Sequence, residues 1–292
     1  PTSFRVQAVL PGTATATRPV ISTTSDSIVV TTGLPVQRAF SISATKANVD
    51  GTFNSSPDAP ASMVNILMAD GFGNPVADGT PVVFQTNIGA VGSSDRGGCL
   101  TVNGGCSVGF RVQNPREALP NLPATPCNSG SGAGVAPDST RKGVATICAS
   151  TTDGTNTQFG KVTITLSDDE IGRVYINGST TPASSDTVDL GNAPSADPKV
   201  FTMQLTDRNG NPLPVESTVA ITGLVGANLV ELTPASVMNI FAIEGNAPNG
   251  SNHRVTLSAP TKPCTLPSRA TFNVTATTPN GKISSIPFTL NF

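Results

Sequence analysis

Short runs of alternating hydrophobic and polar residues, separated by turn residues, extend along most of the chain. A period of two predicts β-strands with one buried face, because successive side chains of a strand point to opposite sides. Clusters of Gly, Pro, Asn, Asp and Ser between the runs predict turns. Up to residue 170 the pattern predicts strands at Phe4–Leu10, Ser27–Thr32, Ala39–Ala44, Met63–Ala69, Pro81–Thr86, Ser107–Val112, Gly143–Ser150 and Lys161–Ser167. Beyond residue 170 it predicts strands at Arg173–Ile176, Lys199–Thr206, Ser217–Thr222, Asn228–Leu232, His253–Ser258, Ala270–Thr277 and Ser284–Asn291.

Composition supports an all-β fold and excludes several other classes of protein. The 292 residues are 37% hydrophobic and 12% charged, which is too apolar and too weakly charged for a disordered chain. Its 28 Gly and 25 Pro residues follow no period, so the chain is not collagen-like. A net charge of −2 leaves no basic surface for nucleic acid or acidic membranes. No apolar run approaches the length of a membrane-spanning helix. We therefore expect antiparallel β-sandwiches.

A seven-residue motif occurs twice and divides the chain into two similar halves. The residues that recur with a constant offset are Asp70, Gly73, Asn74 and Pro75, and then Asp207, Gly210, Asn211 and Pro212. The aspartate can accept hydrogen bonds from its own turn and the glycine can adopt positive φ, so the motif predicts a structural turn. We expect an N-terminal strand and linker at 1–19, a first domain at 20–168 with a Pro/Gly-rich insertion at 114–142, and a second domain at 169–292.

The first copy of the motif also resembles a known family. The segment Asp70–Phe84, then Gly89–Gly92 and Gly143–Ile147, resembles the bacterial immunoglobulin-like group 1 repeat of invasin- and intimin-type surface proteins. Ser27–Thr31 resembles the first strand of that repeat. The second half keeps the motif but has Val215-Glu-Ser-Thr where the first has Ala77-Asp-Gly-Thr.

This resemblance implies an Ig-like antiparallel β-sandwich, so with the repeat we expect two in tandem, preceded by a short extra strand. It also implies export to the bacterial surface and a structural or adhesive role without catalysis. For an exported chain we expect that a signal peptide has been removed, with a fragment as the alternative. The expected partners are other domains of a surface protein or copies of the same chain, with an unidentified host or surface ligand. An accessory binding domain of a secreted polysaccharide-active enzyme is a third interpretation.

Five cysteines without C-x-x-C spacing favour disulfides in an oxidising compartment over a metal or redox site. A tight turn at Asn103-Gly104 places Cys106 opposite Thr101, so a Cys99–Cys106 bridge needs a wider loop. Pairing of Cys99 or Cys106 with Cys148 therefore remains open, and a Cys127–Cys148 bridge would close the insertion. Cys264 is either free and buried or bonded to another chain.

Candidate sites for chemistry are few. His253 is the only histidine, and we expect it at the surface or at a strand start. The absence of Trp removes the usual platforms for sugars, and we predict that the chain is not an enzyme. Asp168, Asp169 and Glu170 form the best candidate for a metal, a Ca²⁺ site at the interdomain junction, with a solvated hinge as the alternative. No other cofactor is expected.

The N-terminal strand allows a second functional interpretation. Its alternating residues Phe4, Val6, Ala8 and Leu10 are candidates for β-strand addition to a neighbouring subunit. A head-to-tail contact of this kind does not close and would build a filament, as in a pilus. If the chain is a fragment, the same residues are instead the last strand of a preceding domain.

Overall fold

The computed structural model describes residues 3–10, 20–29, 32–92, 97–116, 126–127, 141–184, 186–193, 197–243, 245, 247–260 and 268–292. These residues form β-strands joined by turns, with one short 3₁₀ helix at Gln37–Ala39. Nearly all pairing between the strands is antiparallel. The predicted all-β class is therefore confirmed. Within the described part of the chain, no helix is long and apolar enough to cross a membrane.

The N-terminal region is a hairpin of four short strands. They are β1 (Ser3–Phe4), β2 (Gln7–Leu10), β3 (Ile21–Thr24) and β4 (Ile28–Val29). β1 pairs with β4, and β2 pairs with β3. The expectation that Ser27–Thr31 is the first strand of the repeat is therefore wrong, because its described part pairs with the N-terminal strand and joins neither sheet of the sandwich that follows.

The first sandwich comprises residues 40–167. Its strands are β5 (Phe40–Ala44), β6 (Asn48–Asp50), β7 (Ser62–Met68), β8 (Pro81–Thr86), β9 (Ala90–Val91), β10 (Gly98–Leu100), β11 (Gly105–Arg111), β12 (Val144–Thr152) and β13 (Thr157–Ser167). One sheet has the order β10-β8-β12-β13-β6 and the other β5-β7-β11-β9. Inward residues of both sheets form one core around Phe110, Ile147 and Ile164.

The second sandwich comprises residues 173–291. Its strands are β14 (Arg173–Ile176), β15 (Val188–Asn192), β16 (Lys199–Thr206), β17 (Thr218–Val225), β18 (Asn228–Thr233), β19 (Ser251–Ser258), β20 (Arg269–Thr277) and β21 (Ile283–Asn291). The sheet orders are β14-β16-β19-β18 and β15-β21-β20-β17. Its core surrounds Phe201, Phe272 and Phe288, and the ring of Phe288 stacks on both of the others.

The two sandwiches have the same topology. The order β5-β7-β11-β9 corresponds to β14-β16-β19-β18, and β8-β12-β13-β6 corresponds to β17-β20-β21-β15. Each sandwich has one parallel pair, in which a short early strand joins the last strand, β6 with β13 and β15 with β21. The early chain of each half thus crosses from one sheet to the other. The extra strand β10 is present only in the first sandwich.

The sequence pattern missed five strands, namely β3, β6, β9, β10 and β15. They are short or rich in Gly, Asn and Asp, so they carry no clear alternation. Pairing with neighbouring strands defines them instead.

Candidate functional site: the joint between the two sandwiches

Both copies of the repeated motif fold into the same turn around a buried aspartate. Asp207 is fully buried, and its Oδ1 accepts hydrogen bonds from the backbone amides of Asn209 (2.8 Å) and Asn211 (2.9 Å). Asp70 is equally enclosed and accepts the same two bonds from its own turn, at 2.9 Å and 3.0 Å. Burial raises the pKa of Asp207, while the amide of Asn211 and two further amides oppose the rise. The motif is thus a structural turn in each half.

The second carboxylate oxygen of each aspartate binds the chain that leads into its sandwich. The amide of Thr32 donates to Asp70 Oδ2 at 2.9 Å, and the amide of Asp168 donates to Asp207 Oδ2 at 3.1 Å. A backbone bond follows at the same spacing, since Val36 donates to the carbonyl of Ala69 and Gly172 to that of Thr206. The linker at 168–172 is therefore attached to the second sandwich.

We define the joint as residues 45–48, 141–143, 168–172, 207–216 and 238–243. At its centre lies Asn48, whose exposed fraction is 0%. Its Nδ2 donates to the carbonyl of Leu213 at 2.7 Å, and its Oδ1 accepts from the amide of Ile240 at 2.9 Å. Its backbone carbonyl accepts from the amide of Val215, also at 2.9 Å. One buried side chain of the first sandwich thus binds two separate loops of the second.

Asn239 makes the reciprocal contacts from the second sandwich. Its Oδ1 accepts from the amide of Ala47 at 2.6 Å, and its Nδ2 donates to the carbonyl of Thr45 at 3.0 Å. Each sandwich therefore has an asparagine whose side chain binds backbone groups of the other sandwich. Such paired bonds define the relative position and rotation of two surfaces, because each amide needs a donor and an acceptor at defined places.

Arg141 supplies a second group of bonds across the joint. It lies just before β12, and only 9% of it is exposed. Its guanidinium donates to the carbonyls of Gly210 (3.0 Å), Ile243 (3.2 Å), Gly245 (2.8 Å) and Ala247 (2.5 Å). The planar fork of an arginine suits several carbonyls at once. The end of the 114–142 insertion is thereby docked onto the loop between β18 and β19.

The acidic cluster proposed for calcium lies at the edge of this joint. Glu170 pairs with Arg208 (2.7 Å) and Lys282 (3.1 Å), and Lys282 is the main reason why its pKa is lowered. Desolvation raises the pKa of Asp169, and the neighbouring Asp168 adds to the rise. Within the described ranges, no three His, Cys, Asp or Glu side chains form a group that could hold a metal. Calcium at this cluster stays a prediction, and a calcium titration would test it.

The four described cysteines form two disulfides, Cys99–Cys106 and Cys127–Cys148. The alternatives in which Cys99 or Cys106 joins Cys148 are therefore not formed. The turn is tight, with an isolated bridge between Val102 and Gly105, yet Cys99 still reaches Cys106. The reason is that β10 and β11 belong to different sheets, so the two sulfurs meet across the edge of the sandwich. Cys264 lies outside the described residues.

The candidates for strand addition pair within their own chain. Phe4 faces Ile28, while Ala8 and Leu10 face residues of β3. All the side chains from Phe4 to Leu10 are exposed. Their apolar members therefore remain available to a further partner.

His253 lies inside β19 with an exposed fraction of 1%, so the expectation of a surface or strand-start position is wrong. Its Nε2 is 2.7 Å from Ser251 Oγ, and its Nδ1 is 2.6 Å from the carbonyl of Pro234. Burial lowers the pKa of His253, so the neutral ring donates from Nδ1 and accepts from the hydroxyl. A catalytic triad places a carboxylate where this ring has a carbonyl. The His253 ring and the Ser251 hydroxyl thus satisfy each other's hydrogen-bonding groups inside the second sandwich.

A groove of about 450 Å³ runs beside the joint. Asp50, Phe53 and Pro214 contribute to its walls. Asn280 also lines it, and its Nδ2 donates to Asp50 Oδ2 at 2.6 Å. Most of the 114–142 loop, which we expected to be the first place to look for a ligand, lies outside the described residues.

Asn48, Asn239 and Arg141 are not among the residues that the sequence pattern marks. An asparagine beside a short strand and an arginine at the end of a loop are common at surfaces, so nothing local distinguishes them. Their partners are 69 to 194 residues away in the chain. Covariation between these positions and their partners is a signal that could find them.

No family model matches the chain, and no curated protein sequence matches it. Several solved structures are similar to it. The Yersinia pseudotuberculosis adhesin InvE shares 13% identity with a TM-score of 0.28, over 88% of this chain and 60% of that one. A C-terminal fragment of intimin, in complex with the intimin-binding domain of the translocated intimin receptor, shares 11% identity with a TM-score of 0.33, over 85% of this chain and 62% of that one.

A third similar structure contains domains 4 and 5 of the S-layer protein SbsC, with 14% identity and a TM-score of 0.28 over 86% of this chain and 97% of that one. This chain spans about three fifths of the length of the first two structures. TM-scores this low carry no argument about function. The invasin- and intimin-type proteins that the Asp70–Phe84 segment resembles are nevertheless represented among these structures.

Proposed function

We propose that this chain is a stiff, non-catalytic, two-domain segment of an exported bacterial surface protein or fibre. In this role the sandwiches act as a spacer that holds an adhesive or structural element at a defined distance and orientation. The role is mechanical, so it depends on how firmly the two sandwiches are joined. Its direct partners would be other domains of the same surface protein.

The observation that carries the proposal is the joint. Asn48 and Asn239 bind the backbone of the opposite sandwich, and Arg141 binds four carbonyls of the second sandwich. Bonds at separate places resist bending and twisting, because one relative position of the two sandwiches satisfies both sets. Buried polar groups whose partners are removed cost about 1 to 3 kcal/mol each, so bent states are disfavoured.

Residual dipolar couplings test whether the two sandwiches move as one body. We expect the couplings of both sandwiches to fit one alignment tensor. Asn48→Ala combined with Asn239→Ala should require two tensors, because it removes the reciprocal bonds. Asn65→Ala is the matched control, since Asn65 lies in β7 and its Oδ1 accepts from Ser107 within the same sandwich. Two tensors in the unmodified chain would contradict the proposal.

A filament subunit is the second candidate, and the exposed apolar residues of the N-terminal hairpin favour it. Strand exchange requires the first strand to leave its present pairing and join a neighbouring subunit. Negative-stain microscopy of native material distinguishes filaments from monomers, and deletion of residues 1–12 should abolish assembly only in a polymer. Folded, monomeric material both with and without that deletion would exclude strand exchange.

A further inference from the structure

One side of the N-terminal hairpin is apolar and exposed. The exposed fractions are 48% for Phe4, 54% for Val6, 58% for Leu10 and 60% for Ile21. A two-stranded hairpin alone is marginally stable in water and usually needs further strands or a covering layer over its apolar face. The exposed side therefore lacks the layer that a sheet of this pattern normally has.

The hairpin leads into the first sandwich in the way that the first sandwich leads into the second. Thr32, which follows the hairpin, donates its amide to Asp70. Asp168, which follows the hairpin formed by β12 and β13, donates its amide to Asp207 in the same geometry. Both hairpins are thus attached to the next sandwich by an equivalent bond.

The two hairpins have an equivalent register at the pair nearest this bond. Phe4 pairs with Ile28, four residues before the amide that binds the aspartate. Ala145 pairs with Ile164 at the same distance from its own amide. Further along, the second strand of the N-terminal hairpin is shifted by one residue, since Ala8 pairs with Thr23. Counted along the first strand from the equivalent pair, Phe4, Val6 and Ala8 take the places of Ala145, Ile147 and Ala149 of β12. Those three residues of β12 are fully buried.

We propose that the hairpin β1–β4 is the closing hairpin of a third sandwich of the same type. Strands with an apolar inward face, placed N-terminal to β1 in the full-length polypeptide, cover Phe4, Val6 and Ala8. The third sandwich then lies above the turn at 70–79, where Leu34 and Phe72 are 50% and 46% exposed. The proposal concerns an interaction surface and does not depend on the adhesive role.

A second copy of this chain does not fit the surface equally well. The closing hairpin is in place in both sandwiches, as β12–β13 and β20–β21, and each is paired along nine residues. In the described residues, neither sandwich has a vacant position for another closing hairpin. The complementary surface must belong to a sandwich that lacks its last two strands.

Hydrogen exchange of the hairpin amides tests the proposal. In the chain of residues 1–292, we expect the amides of β2 and β3 to exchange rapidly, while those of β20 and β21 are protected. In the full-length gene product, the same hairpin amides should be protected about 100-fold or more, because they open only when the third sandwich unfolds. Equal exchange in the two proteins, or a gene product without strands before residue 3, overturns the proposal.

Val6→Asp and Val9→Asp supply the matched control, because they lie on opposite sides of the first strand of the hairpin. Val6→Asp places a charge on the apolar side, while Val9→Asp places it on the other side, and the two side chains are similarly exposed, at 54% and 52%. In the full-length protein only Val6→Asp should remove the hairpin protection, and in residues 1–292 neither should change the melting of the two sandwiches. Equal effects in the full-length protein would overturn the proposal. So would self-association of residues 1–292 that Val6→Asp abolishes, because the occupant would then be a second copy.

Discussion

The turns around Asp70 and Asp207 are the same in the two sandwiches, but their surroundings differ. Asp70 and Asp207 hold equivalent turns, and among the described residues the second turn contacts another sandwich. Two of the residues shared by both copies make this contact, since Gly210 accepts from Arg141 and Asn211 donates to the carbonyl of Lys142. Gly71 in the first turn corresponds to Arg208 in the second, and Arg208 pairs with Glu170 of the linker. The shared residues thus build the turn and also serve the joint, while a residue that differs adds an ion pair to the linker.

Gly79 and Glu216 occupy equivalent backbone positions in the two copies. Both adopt positive φ, at 82° and 70°. Glycine adopts this conformation without strain, whereas a residue with a Cβ is disfavoured there. The second sandwich nevertheless has Glu216, whose carboxylate reaches Lys46 of the first sandwich at 2.8 Å. The residue that is unfavourable for the local backbone, Glu216, is thus the one that makes a contact across the joint.

Loss of the motif aspartate should have the largest effect. Asp207→Ala leaves the amides of Asn209, Asn211 and Asp168 without their acceptor, and we expect the free energy of unfolding to fall by about 3 to 5 kcal/mol. Urea denaturation measures the change. Asp70→Ala should cost a similar amount, but hydrogen exchange should place its effect in the first sandwich. Asp58, which is exposed, supplies the control Asp58→Ala. A loss below about 0.5 kcal/mol for Asp207→Ala would contradict the shared role.

Loss of Arg141 should separate the two sandwiches. Arg141→Met removes the donors from four carbonyls, and we expect a cost of about 2 to 3 kcal/mol. Calorimetry should then resolve two unfolding transitions, because the sandwiches no longer stabilise each other. Arg38→Met is the matched control, since Arg38 also donates to a carbonyl, that of Gly71, but on the exposed surface of the first sandwich. An unchanged single transition for Arg141→Met would show that the joint does not depend on it.

Acid should weaken the second sandwich before the first. The folded pKa of His253 is lowered, so the unfolded chain binds a proton first as the pH falls below about 6.5. This contribution to stability is complete above that pH and is lost below it, by at most about 1.4 kcal/mol per pH unit. His253→Gln should flatten the dependence. Hydrogen exchange between pH 5 and 7 measures it, and the first sandwich is the internal control because His253 is the only histidine. Equal acid sensitivity of both halves would contradict the assignment.

Exchange of the residues at the positive-φ position should have the smallest effect. Glu216→Gly relieves the backbone but loses an exposed ion pair, and such pairs contribute about 0 to 1 kcal/mol. We expect a net gain of at most about 1 kcal/mol, measured as the urea midpoint. The reverse change, Gly79→Glu, should destabilise the first sandwich by about 1 to 2 kcal/mol. A stabilising effect of Gly79→Glu would refute the comparison.

Most strands could be predicted because their signal is local. β7, β16 and β20 alternate clearly, and the structure has them close to the predicted positions. The error at Ser27–Thr31 has a different origin. The alternation there indicates a strand, but the choice between the N-terminal hairpin and the first sandwich depends on which edge is free. A strand pattern does not contain that information.

The candidate site was largely beyond prediction. Asp70 and Asp207 were identified because the motif repeats, but their bonds to Thr32 and Asp168 were not foreseen. The burial of His253 was missed because a lone histidine among polar residues has no local sign of burial. The Cys99–Cys106 bridge was left open because the turn alone argued against it, whereas the assignment of β10 and β11 to different sheets permits it.

By itself, the sequence determined the all-β class, most strand positions and the two turns at Asp70 and Asp207. These features depend on residues a few positions apart, where alternation, glycine conformations and short-range hydrogen bonds act. Only the tertiary structure decided that Asn48 binds Ile240 and Asn239 binds Ala47, that Arg141 reaches the loop after β18, and that the N-terminal hairpin leaves Phe4 and Val6 uncovered. Those contacts join residues far apart in the chain, so they exist only once both sandwiches are folded and placed against each other.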